Sequence, residues 1–144
     1  MTVEDRWIVL YDSDCGICKW LLAGLLRCDR ALRLRPVALQ TPEAAELLHD
    51  LDPEERMESW HLIAPDGERR SGGDAIAPLL ALLPGGRRLT APFARFPGAT
   101  NCGYRWVARN RSRLSKLVPA RSKRRAAESV RERERRDSNP RPPA

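Results

Sequence analysis

The first apolar run, Trp7-Ile8-Val9-Leu10-Tyr11, consists of β-formers and ends in the turn-prone polar group Asp12-Ser13-Asp14, which predicts a first strand and its exit turn. After Cys15-Gly16 the period lengthens. Ile17, Leu21, Leu22, Leu25, Leu26 and Cys28 fall at helical spacing, with Asp14 as the expected N-cap and Cys15 in the first turn. Leu32 to Leu39 alternates and then turns apolar, a second strand whose Pro36 belongs where one backbone donor is not needed. Thr41 as cap and Pro42 at the first helical position open a second helix that Pro53 is expected to end. Trp60 to Ala64, then Pro65-Asp66-Gly67, then Glu68 to Ser71 predicts a β-hairpin. Asp74 is the expected cap of a helix over Ala75 to Leu83, and Thr90-Ala91-Pro92 opens a short one that Pro97-Gly98 ends. A last ordered helix is expected from Cys102 to Leu117. Strand, helix, strand, helix, hairpin and helix in that order imply an α/β fold, one sheet with helices on its faces and a right-handed parallel crossover at its start.

The chain has 144 residues and a formal net charge of +7. Residues 1 to 104 hold 12 basic and 15 acidic side chains, a net of −3, whereas residues 105 to 144 hold 14 and 4, a net of +10. Basicity is therefore a property of the C-terminal part alone. From Ala120 onward the chain is Arg-rich and lacks aromatic residues, so residues 119–144 are expected to be a basic, disordered tail after a domain over residues 5–118. The tail carries no recognition motif and no stacking residue, which argues against nucleic acid as its partner. No apolar window reaches membrane-spanning length and the N-terminus does not read as a signal segment, so a cytoplasmic location is expected. In that reducing setting Cys15, Cys18, Cys28 and Cys102 are better read as reactive, metal-binding or core residues than as a disulfide framework.

Cys15-Gly16-Ile17-Cys18 is the most informative stretch. Three residues of separation at a helix start put both sulfurs on one face, and a Cys-x-x-Cys beside a strand–helix–strand pattern suits a thioredoxin-like redox site. Cys15 lies nearest the unpaired N–H groups of the helix start and is the expected nucleophile; Cys18, one turn deeper, is the expected resolving thiol. Asp12 and Asp14 oppose that thiolate electrostatically. Asp12 is either a proton acceptor and donor for Cys18 or a turn residue that caps the helix start. A Cys₄ zinc site is disfavoured, because Cys28 lies ten residues along the same helix from Cys18, about 15 Å away. Cys28 is expected in the core, and His49 and His61 are assigned no role.

Val9-Leu10-Tyr11-Asp12-Ser13-Asp14-Cys15-Gly16-Ile17-Cys18 resembles the signature of the DCC family of thiol-disulfide oxidoreductases, named for one Asp and two Cys. Pro65-Asp66-Gly67, Gly73-Asp74-Ala75, Leu82-Leu83-Pro84-Gly85, Pro97-Gly98 and the stretch from Tyr104 to Asn110-Arg111 look like later landmarks of the same family, over about residues 7 to 117. The resemblance implies a thioredoxin-like fold, with a central mixed sheet and extra C-terminal helices, and protein-disulfide reductase activity with Asp12, Cys15 and Cys18 at the naming positions. It also departs from the pattern: Ser13 stands where Gly is usual, and Met57 to Trp60 offers no proline for the loop that in thioredoxin faces the disulfide.

The expected function is thus dithiol–disulfide exchange through Cys15 and Cys18 on a disulfide-containing protein or small thiol substrate, with electrons from an external thiol donor. No bound cofactor is required, since Gly72-Gly73 and Gly85-Gly86 lack dinucleotide-binding spacing. Two alternatives stand beside it: a non-catalytic zinc-binding or regulatory thiol module, and a nucleic-acid or anionic-surface binder acting through the basic tail.

Overall fold

The computed structural model describes residues 5–139. The first strand, β1 (Trp7–Tyr11), is followed by helix α1 (Gly16–Cys28) and strand β2 (Leu34–Ala38), which lies parallel to β1 with Trp7 opposite Leu34 and Tyr11 opposite Ala38. Helices α2 (Pro42–Leu47) and α3 (Pro53–Glu58) lead to the hairpin of β3 (His61–Ile63) and β4 (Arg69–Ser71). β3 pairs antiparallel with β1, giving a four-stranded mixed sheet in the order β2-β1-β3-β4. A 3₁₀ turn at Gly72–Ala75 then opens the C-terminal helices: α4 (Ile76–Leu82), α5 (Arg87–Arg95), α6 (Pro97–Arg109), α7 (Arg111–Leu117) and α8 (Ala120–Ser138). This is a thioredoxin-like α/β fold. Among the described residues no helix is long and apolar enough to cross a membrane.

The period-2 alternation of the strands sorts the core onto two faces. Val9 and Tyr11, with Leu34 and Leu62, face α1 and α4 residues such as Leu22, Leu26 and Leu79. Leu10, Val37 and Ile63 point the other way, against Ala44 and Leu48. Leu39 donates its N–H to Tyr11 O at 2.9 Å, so the odd-numbered positions of β2 face β1 and Pro36, at the free edge, loses no ladder bond.

The expectation of disorder over residues 119–144 is overturned for residues 120–138, which form α8; Pro140 to Ala144 lie outside the described residues. Ala126 and Val130 are 4% and 1% exposed within the same core cluster as α1. Charged residues at the same helical spacing complete the inner face. Arg133 Nη2 donates to Asp29 Oδ2 at 2.8 Å and to Leu34 O at 3.2 Å, Asp137 pairs with Arg6, and Tyr11 Oη donates to Glu134 Oε1 at 2.7 Å. Burial and the Glu134 carboxylate together push the Tyr11 phenol upward, so it stays a donor. Composition failed here because two small apolar residues suffice when charged neighbours meet buried partners on other elements.

Smaller corrections have local causes. Pro53 begins α3 rather than closing a helix: Asp52 accepts from Glu55 N, and Glu55 accepts from Asp52 N, a capping box. Pro97 likewise begins α6, and Asn110 breaks the expected last helix between α6 and α7. Asp74 caps nothing; it accepts from Asn101 Nδ2 of α6 at 2.7 Å.

Asp29 is fully buried, accepts from Arg33 N and Leu34 N at 2.9 Å each, and meets Arg133. Arg133→Met should therefore cost about 3–5 kcal/mol in urea unfolding, because it strands a buried carboxylate. A loss under about 1 kcal/mol would show that the pair does not hold α8 in place.

Candidate functional site

The site forms where β1 ends. A strand leaving the sheet must turn at once to start α1, and Asp12 organises that turn: its Oδ1 accepts from Asp14 N at 2.9 Å and its carbonyl from Cys15 N at 3.3 Å. Cys15, and not Asp14, is the N-cap of α1, with φ −92° and ψ 110°. Its Sγ accepts from Cys18 N at 3.4 Å, the role a Ser or Asp oxygen usually fills. Cys15 and Cys18 are disulfide-bonded across a Cα–Cα distance of 5.2 Å, and both are half-buried.

Two residues that the sequence reading did not assign to the site reach Asp12. Gln40 Nε2 donates to Asp12 Oδ1 at 2.8 Å, and Gln40 Oε1 accepts from Ser13 Oγ at 2.8 Å and Ser13 N at 3.2 Å. Gln40 follows the C-terminal end of β2, which is parallel to β1, so both exit turns meet at one sheet end; that position was the available signal. Arg111, at the start of α7, brings Nη1 to 3.7 Å from Asp12 Oδ2. Asp12 thus holds a backbone turn, an amide and a cation together.

Beside this turn lies a cavity of about 1050 Å³, lined by Asp12, Cys18 and Arg111 and otherwise mostly by apolar side chains. Leu21 of α1, Phe96, and Trp106 of α6 border it while remaining 48%, 58% and 59% exposed. Helix α6 is seated by two glycines. A Cβ on Gly73 would come within 2.8 Å of Asn101 Cα, and one on Gly72, at φ +57°, within 3.1 Å of the Tyr104 ring. Tyr104 Oη accepts from Trp60 N at 3.4 Å, and burial pushes its phenol upward.

The remaining candidates lie elsewhere. Cys28 is exposed at the far end of α1 rather than in the core, and Cys102 is exposed on α6; both are free thiols. Among the described residues no three His, Cys, Asp or Glu side chains cluster as a metal set would. His61 is buried in β3, its Nε2 3.0 Å from Arg56 O and its Nδ1 2.6 Å from Ser71 Oγ. The carbonyl can only accept, so Nε2 donates and Nδ1 accepts from the hydroxyl, while burial lowers the imidazole's proton affinity. His49 is exposed beside Glu46 O.

Compared with known proteins, the chain matches the family described as DCC1-like thiol-disulfide oxidoreductase over residues 9–117, a stretch that runs from β1 to the end of α7. No curated protein and no solved structure matches it. The family match spans most of the chain and contains the bonded Cys15–Cys18 pair with the Asp12 turn before it: the chain belongs to the DCC1-like thiol-disulfide oxidoreductase family.

Proposed function

We propose that the protein is a protein-disulfide reductase working by dithiol–disulfide exchange, with Cys15 as nucleophile, Cys18 as resolving thiol and Asp12 as proton carrier. The observation that carries this reading is the position of Cys15 Sγ at the N-cap, where it accepts the Cys18 N–H. In the reduced protein the same N–H and the positive end of α1 favour a thiolate there.

The Cys15 thiolate attacks one sulfur of a substrate disulfide, forming a mixed disulfide and releasing the other sulfur as a thiolate that takes a proton from water. The Cys18 thiol then passes its proton to Asp12, which borders the same cavity, and its sulfur attacks Cys15 Sγ. The second substrate sulfur leaves and takes a proton, so the substrate has gained two electrons and two protons and the protein holds the Cys15–Cys18 disulfide. An external thiol donor, in a reducing compartment such as the cytoplasm, returns the pair to dithiol. The apolar cavity supports protein substrates, since it offers side chains flanking a disulfide a surface to bury.

Intact-mass analysis after alkylation across graded glutathione ratios should show a reversible loss of two protons at Cys15 and Cys18 that Cys15→Ser abolishes. If all four thiols alkylate independently at every ratio, the oxidoreductase reading fails. Asp12→Asn removes a charge that opposes the Cys15 thiolate, so the first attack should be no slower, while the resolving step slows by roughly 100-fold and the mixed disulfide accumulates in quenched mass spectra; resolution at the wild-type rate would remove Asp12 from the mechanism. Phe96→Ala with Trp106→Ala should raise KM for insulin by about tenfold more than KM for oxidised glutathione. Equal changes for both would argue against the cavity as a protein-binding surface.

A further inference from the structure

Helix α8 lies beyond residue 117, where the family match ends, yet it reaches Gly16, which stands next to Cys15. Gly16 sits between the two cysteines at the first position of α1. A Cβ there would lie 3.0 Å from Lys123 Cδ, 3.9 Å from Lys123 Cγ and 3.7 Å from Ser115 Oγ. The lysine stem therefore crosses directly over the backbone that links the redox pair. Its Nζ donates to Ser115 O at 3.0 Å and to Ser115 Oγ at 3.2 Å, which fixes the ammonium beside the same backbone. Lys123 stands three and seven residues before the buried Ala126 and Val130, so core packing of α8 holds it on the inner face.

The charges around Cys15 make that position consequential. Asp12 and Asp14 come from the turn before it, Lys19 lies one turn along α1, and Arg111 of α7 is engaged with Asp12. Asp14 is exposed, accepts only a 3.4 Å contact from Gln40 Nε2, and opposes a thiolate on the neighbouring residue. Lys123 supplies a cation from α8. Its stem lies over the residue next to Cys15, and a charge held there, in a partly dry site, is near enough to change the thiolate fraction about threefold to tenfold.

We propose that Lys123 is a positioning residue for the redox pair: its stem roofs Gly16, and its ammonium, held by Ser115, stabilises the Cys15 thiolate of the reduced protein. The proposal rests on the reading of Cys15 as the nucleophile. It gives α8 a part in the chemistry as well as in the core, and it fits a glycine at position 16, where a Cβ would press against the lysine stem.

The test uses the full chain with Cys18, Cys28 and Cys102 changed to Ser, so that iodoacetamide reports Cys15 alone. Lys123→Met, which keeps the stem and removes the charge, should slow labelling at pH 7 about threefold to tenfold and move the pH midpoint of the rate upward. Lys123→Arg should restore the rate to within about twofold. A folded Met variant with an unchanged pH profile, or an Arg variant no faster than Met, overturns the proposal. Should Lys123→Met fail to fold, Lys123→Gln takes its place, a polar and uncharged side chain that can still donate toward Ser115 O; an upward shift supports the proposal and an unchanged profile overturns it. The glutathione titration keeps the two readings apart. A normal Cys15–Cys18 couple with a Lys123-independent profile removes this inference alone, and an absent couple with a Lys123-dependent profile removes only the oxidoreductase reading.

Discussion

The carboxylate of Asp29 is the joint on which the arrangement of helices depends. It follows α1 directly, is itself buried, accepts the N–H groups of Arg33 and Leu34 at the entrance to β2, and receives Arg133 from α8. A buried carboxylate must be met by donors or it destabilises everything around it. Meeting it ties three elements at one point: the end of the crossover helix, the start of the edge strand and the last helix. Arg133 Nε in turn stands 3.8 Å from Asp137 Oδ2, and Asp137 pairs with Arg6, so the joint extends to the residue just before β1.

From this joint α8 runs alongside α1 in the same direction, with Arg133 near Asp29 at one end and Lys123 near Gly16 at the other. Ala126 and Val130 fill the interval, small enough to let the helix lie close to Leu22, Ala23 and Leu26. The two ends of α1 are thereby held by one neighbour. The cysteine pair occupies a helix start beside which lie Lys123 of α8 and the group of Asp12, Gln40 and Arg111.

What could be read from the chain was what depends on near neighbours in sequence. The β1 run, the Thr41-Pro42 start, the hairpin closing at Pro65-Asp66-Gly67 and the Cys-x-x-Cys spacing all take their form from residues a few positions apart, and each is found in place. Gly67, at φ +89°, supplies the conformation the hairpin turn demands. α3 was legible in principle, through Asp52 and Glu55, but its short pattern has no apolar face and no buried residue. The identity of Cys15 as N-cap, the partners Gln40 and Arg111, and the packing of α8 are tertiary facts. Arg133 and Asp29 lie 104 positions apart, and nothing local marks either as the other's counterpart.

That separation also sets an order of assembly. Tyr11 meets Glu134 across 123 positions and Arg6 meets Asp137 across 131, so the first strand is not fully covered until the last helix exists. Contacts that close so long a loop form late, and on a ribosome they wait for α8 to emerge. The cysteine pair leaves the tunnel early and waits, without Lys123 across it, until α8 has emerged and docked; the electrostatic setting of the site is completed only then.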